Sequence, residues 1–222
     1  MKRSIPWLLL LCLSAGHALA EPQRVFIAAD STAASYGPER APQAGWGQKF
    51  PDWISDGWEV RNHAVGGRST RSFIDEGRLD AIAAEIRAGD VLLIQFGHND
   101  AKFEDPSRYT DPKTDYPRLL ARYIEVARGK GATPILITPV ARLLYDFGSL
   151  VDTHGLYTEA VKRVAEEQKV GLIDLNASSM AWIRALGEQG GIGLGHALRQ
   201  QHVFRSEERR VGKECRSRWS PY

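Results

Sequence analysis

Val91-Leu92-Leu93-Ile94-Gln95-Phe96-Gly97-His98-Asn99-Asp100 is an apolar run of strand length that stops at a glycine and three polar residues. A continuous apolar run, without alternation, suits a strand covered on both faces, as in a parallel sheet with crossover helices. In such sheets ligands bind beyond the carboxyl ends of the strands, so the polar end of this run is a place to expect chemistry. Outward from it, four more runs read as strands: Val25 to Ala29, Glu59 to Asn62, Pro134 to Thr138 and Gly171 to Leu175. Between them apolar residues recur at helical spacings, as Leu79, Ile82, Ala83 and Ile86, as Leu119, Leu120, Tyr123, Ile124 and Ala127, and as Tyr157, Ala160, Val161, Val164 and Ala165. Gly89 and Gly129 read as stops of the first two helices, and Gly187 to Gly195 as a flexible turn region. The alternation predicts an α/β fold with a five-stranded parallel sheet.

The 222 residues, 43% hydrophobic and 25% charged, fit one globular domain large enough to need no staples. The two cysteines, Cys12 and Cys215, fall outside Glu21 to Phe204, so disulfides do not hold the core. Lys2 and Arg3, the apolar Ile5 to Leu13 and then Ala18-Leu19-Ala20 have the three parts of a secretory signal peptide, cleaved after Ala20. The expected division is a signal segment 1–20, a domain 21–204 and a tail 205–222, with the mature protein secreted or periplasmic. The domain carries 21 cations against 24 acids and no basic run, which gives no footprint for nucleic acid or an anionic membrane. HExxH, a phosphate-binding glycine loop and Gly-x-Ser-x-Gly are all missing from the sequence, which argues against zinc proteases, nucleotide enzymes and α/β-hydrolases. No metal or cofactor is implied.

Three strand ends have unusual composition. Ser31 follows the first strand directly, where a hydroxyl can project into the crevice as a nucleophile, although an Asp-Ser pair also suits a helix cap. Gly66-Gly67 follows the second strand, where bare amides can approach a ligand or make a tight turn. Asn99 follows the third, as an amide donor or as part of a polar turn. Nucleophile plus convergent N–H donors is the requirement of acyl transfer, in which the tetrahedral oxyanion is stabilised by preorganised donors.

These three segments resemble the first three sequence blocks of the SGNH (GDSL-type) hydrolases. Asp30-Ser31-Thr32, Gly45-Trp46-Gly47, Asn62 through Phe73, Gln95 through Asp100 and Thr138-Pro139-Val140 resemble the rhamnogalacturonan acetylesterase branch more narrowly, over Val25 to about Gly187. The resemblance implies a flavodoxin-like three-layer α/β/α fold. It makes Ser31 the nucleophile, and the amides of Ser31 and Gly67 with the Asn99 side chain the oxyanion hole. Ala29 stands where the family has glycine, a departure tolerated if its φ is negative. Gly66 is the competing donor. The implied reaction is removal of O-acetyl groups from rhamnogalacturonan, or from an oligosaccharide of it, through an acetyl-serine intermediate. An acetylxylan or other carbohydrate esterase, and a non-catalytic carbohydrate-binding relative, are the alternatives. Among Trp46, Trp53 and Trp58, only Trp46 suits a crevice lining, and packing is the expected role of all three.

The family's general base, a histidine three residues after an aspartate, has no counterpart in the sequence. His154, His196 and His202 are preceded at that distance by Val151, Gly193 and Arg199. His98 lies inside the third block, and the surroundings of His154 resemble a substrate-side loop; both read as partly exposed. The tail, rich in cations and poor in apolar residues, resembles translated sequencing-adapter DNA. The expectation is therefore that the native protein continues past about Phe204 into the missing motif, and that the chain as given is nearly inactive.

Overall fold

The computed structural model describes residues 22–199, with side chains described through residue 190. The expected signal segment, the tail and His202 lie outside the described residues, as does the side chain of His196.

The fold follows from which side chains of each strand face which layer. Strands β1 (Gln23–Ala29), β2 (Trp58–Asn62), β3 (Val91–Gln95), β4 (Thr133–Ile137) and β7 (Gly171–Ile173) form one parallel sheet in the order β2-β1-β3-β4-β7. Phe26 and Ala28 of β1, with Leu92, Ile94 and Leu136, point to one face, where helices α2 (Thr70–Asp75), α3 (Arg78–Glu85), α4 (Asp115–Gly129) and α5 (Gly155–Gln168) cover them. Val25, Ile27 and Ala29, with Leu93 and Ile137, point to the other. That face is covered by the short helix α1 (Trp46–Lys49), the 3-10 turn Phe50–Trp53 and Leu175 at the start of α6 (Leu175–Arg199). A two-stranded antiparallel hairpin, β5 (Tyr145–Asp146) and β6 (Ser149–Leu150), is inserted between β4 and α5. The expected three-layer arrangement is present.

Element boundaries differ from the sequence reading for local reasons. Strand β4 stops before Thr138 and β7 before Asp174 because the two side chains meet, Thr138 Oγ1 donating to Asp174 Oδ1 at 2.9 Å. The same oxygen accepts from Ala177 N at 3.1 Å and so starts α6. Helix α3 ends at Glu85, ahead of Gly89, while α4 runs through Gly129; its stop is the left-handed turn at Gly131, φ +71°. Gly187 to Gly195, expected to be a flexible turn, is helical apart from a break at Gly187.

Three buried tyrosines connect the helix layer to the strand ends. Tyr116 Oη donates to Phe96 O at 2.9 Å, Tyr123 Oη to Thr70 O at 2.9 Å, and Tyr157 Oη to Asp100 O at 3.0 Å. The aromatic group Phe73, Phe96 and Tyr123, with ring centroids 5.3 to 6.1 Å apart, fills the space beneath them. Burial of these rings therefore sets the positions of the loops after β2 and β3.

Candidate active site

Strand β1 pairs with β2 on one side and with β3 on the other, so chain direction across the sheet reverses at the carboxyl ends of β1 and β3. A crevice opens at such a switch point, and Ser31 stands at its edge. No helix follows Ser31 directly, which removes the capping role; residues 31–33 are a turn closed by Ala33 N donating to Asp30 O at 3.2 Å. Tyr36 Oη donates to Ser31 O at 2.7 Å and Trp46 N to Thr32 O at 2.9 Å, fixing the turn from outside. Ala29 is extended and fully buried and is not among the positive-φ residues, so its methyl group causes no strain.

The loop after β2 is carried to the same point by continued pairing with β1: His63 N donates to Ile27 O at 3.0 Å and Val65 N to Ala29 O at 3.1 Å. A Cβ on Gly66 would lie 3.6 Å from the Ser31 Cβ. Gly67 has φ +81°, a region a side chain resists. Ser69 then starts α2 with a capping box, Ser69 Oγ accepting from Ser72 N and Ser72 Oγ from Ser69 N. Asn99 Nδ2 donates to Arg68 O at 3.0 Å, using one of its two hydrogens and drawing this loop against the end of β3. The structure thus brings Ser31, the Gly66-Gly67 loop and Asn99 together. The N–H groups of Ser31, Gly66 and Gly67 make no hydrogen bond within the described residues, nor does Ser31 Oγ.

Two buried carboxyls frame the site, and neither was singled out in the sequence. Asp30 Oδ1 accepts from Thr32 N at 2.9 Å and Thr32 Oγ1 at 2.8 Å; Thr32 Oγ1 accepts from Gln95 Nε2 at 2.9 Å, and Gln95 Oε1 from the Trp46 indole N–H. Trp46 is thereby held in place, with Phe50 edge-on to its ring, while Trp53 is exposed and Trp58 packs on the core. Asp100 Oδ1 accepts from Thr70 N, Thr70 Oγ1 and Thr110 Oγ1, tying α2 to the end of β3. The second oxygen of each is buried without a partner. Burial pushes both carboxyls up to about 6, against the lowering effect of their threonine bonds. The adjacency of Asp30 to Ser31 and of Asp100 to Asn99 was the available signal, but burial is not visible in a dipeptide.

His98 is partly exposed as expected, whereas His154 is buried. Their rings meet edge to face at 4.3 Å, His154 is 1% exposed, and both its ring nitrogens are buried without partners. Burial holds both imidazoles well below their ordinary pKa, so they are neutral. His154 is thus an interior residue, the N-cap of α5 at the end of the loop that follows β6. Arg142 braces this pair, donating to His98 O at 2.9 Å and Thr153 Oγ1 at 3.2 Å. His63 stacks on Phe26. No described histidine hydrogen-bonds to Ser31.

Residues 30–195 match the GDSL-like lipase/acylhydrolase family. The chain is 45% identical over 172 residues to the rhamnogalacturonan acetylesterase RhgT of Bacillus subtilis, covering 77% of this chain and 72% of that one. It is 44% identical over 165 residues to the probable rhamnogalacturonan acetylesterase YesY of the same organism, covering 74% and 76%. The crystal structure of YxiM from Bacillus subtilis superposes with a TM-score of 0.70 at 32% identity, over 78% of this chain and 49% of that one, so the chain spans about half of YxiM.

Proposed function

The chain belongs to the GDSL-like lipase/acylhydrolase family of carboxylic ester hydrolases, and from that membership we propose that it removes O-acetyl groups from rhamnogalacturonan through an acetyl-Ser31 intermediate. The observation that carries this reading is the set of uncommitted donors around a free hydroxyl: the amides of Ser31 and Gly67 and the second hydrogen of Asn99 Nδ2. Ser31 Oγ attacks the acetyl carbonyl, the carbonyl oxygen gains charge against these donors, and the sugar hydroxyl leaves. Water then attacks the acetyl-serine, releasing acetate and restoring the hydroxyl. Each donor is worth on the order of a hundredfold in rate because it is already in place before charge develops.

Proton transfer from Ser31 needs a base, and the family's Asp-x-x-His pair is proposed to follow the described residues. Without that base, binding and the oxyanion hole leave roughly a thousandfold over water. Substrate choice is tested by acetate release from acetylated rhamnogalacturonan and from acetylxylan, on protein supplied with the pair. The expected result is faster release from the pectic substrate. Faster release from acetylxylan overturns the substrate, and binding of either without release marks a non-catalytic relative.

A further inference from the structure

The loop between β3 and α4 folds back over the proposed oxyanion loop. Thr110 Oγ1 donates to Asp100 at 2.8 Å, and Arg71 Nε to Tyr109 O at 3.2 Å, which holds the loop down on α2. Arg108 projects from this loop. Asp105 Oδ2 accepts from its Nε at 2.6 Å and forms an ion pair with its Nη2 at 2.6 Å, and that pairing turns the fork. Its Nη1 is left 3.8 Å from where a Cβ on Gly67 would lie, without a hydrogen-bond partner among the described residues. Arg68 is similarly oriented: Glu76 takes its Nε and Gly66 O its Nη1, leaving Nη2 over. Both side chains are about one third exposed, at 31% and 33%. Two guanidinium groups, Arg108 held by Asp105 and Arg68 by Gly66 O and by a Glu76 that it shares with Arg78, therefore keep unused N–H donors at the Gly66-Gly67 loop.

We propose that Arg108, with Arg68 beside it, is a carboxylate clamp that holds a uronate carboxyl group of the substrate next to the ester being cleaved. The proposal rests on the pectic substrate above. Guanidinium N–H groups in a fixed plane match the two oxygens of a carboxylate, and this match is directional as well as electrostatic. Rhamnogalacturonan carries a carboxylate on every galacturonosyl residue, whereas the xylose backbone of xylan carries none. The clamp would thus separate two acetylated polysaccharides that present the same ester to Ser31. Asp105 offsets the charge of Arg108, while Glu76 is shared between Arg68 and Arg78, so the clamp keeps a net positive charge as well as placed donors.

Binding is the direct test, since it needs no general base. An unacetylated rhamnogalacturonan tetrasaccharide with free carboxylates, its carboxyl methyl ester and a xylotetraose are titrated calorimetrically into the chain, Arg108→Gln and Arg108→Lys. Unsubstituted protein is expected to bind the free acid at least about tenfold more tightly than the methyl ester, a difference within reach of one charge-assisted contact. Arg108→Gln is expected to reduce the acid to the affinity of the ester, and Arg108→Lys, which keeps the charge without the fork, to lie between. A preference that survives Arg108→Gln, or equal binding of acid and ester by unsubstituted protein, overturns the clamp and leaves the pectic reading standing. Binding of xylotetraose alone, or of none of the three, overturns both.

Discussion

Oδ1 of Asp100 accepts three hydrogen bonds while Oδ2 accepts none, so one carboxyl both joins the loop after β2 to the end of β3 and carries a charge that burial opposes. Asp100→Ala would leave three buried donors unsatisfied and is expected to cost about 3 kcal/mol in urea unfolding. Asp100→Asn keeps the accepting oxygen and should cost far less at neutral pH. The two also differ in pH dependence from the native protein. A carboxyl raised from 3.8 to about 6 binds its proton more readily folded than unfolded. Its contribution is therefore most favourable below about pH 4 and is lost as pH rises through about 6, a change of roughly 3 kcal/mol. Asp100→Asn should reduce that decline, and an unchanged slope between pH 4 and 6 would show that Asp100 does not titrate there. At this scale Ser31, Gly67 and Asn99 were legible because each follows a recognisable strand end. Asp30, Asp100 and Arg108 were not, since their roles depend on partners such as Thr110, Arg142 and Gly67 that come together only in the folded chain.

The hairpin β5–β6 turns through Phe147 and Gly148, with φ of +44° and +77°, the signs of a type I′ turn. Phenylalanine is a poor residue for the first position, and its ring is 100% exposed, so no packing offsets the strain. Phe147→Asn is expected to raise stability by about 1 kcal/mol in urea unfolding; a decrease would mean that the ring has a partner in the native protein. The hairpin itself was not read from the sequence, because strands of two residues give no periodicity. Longer elements were legible where one face is apolar: α4 shows it at Leu119, Leu120, Tyr123, Ile124 and Ala127, all buried. The glycine-rich stretch after Gly187 misled because propensity disfavours a helix there, and only Gly187 itself leaves helical geometry.

For the whole molecule, alternating apolar strands and amphipathic helices sufficed to predict a parallel sheet, while the unequal covering of its two faces was not legible, since layer assignment depends on strand order. Four helices cover one face, and a short helix, a 3-10 turn and the start of α6 cover the other. At the β7 edge Leu172 and Ile173 remain 40% and 46% exposed, and Trp182 of α6 is 56% exposed. The site is built at the opposite side of β4, between β1 and β3, where Ser31 and its donors are held by elements complete among the described residues. The most direct test is acetate release from acetylated rhamnogalacturonan by a chimera in which residues 22–190 are followed by the C-terminal segment of the relative RhgT. The chimera is expected to release acetate, and the same chimera carrying Ser31→Ala to lose that release by at least about a thousandfold. A folded chimera that releases no acetate, or one whose activity survives Ser31→Ala, would contradict the proposed acetyl-Ser31 intermediate.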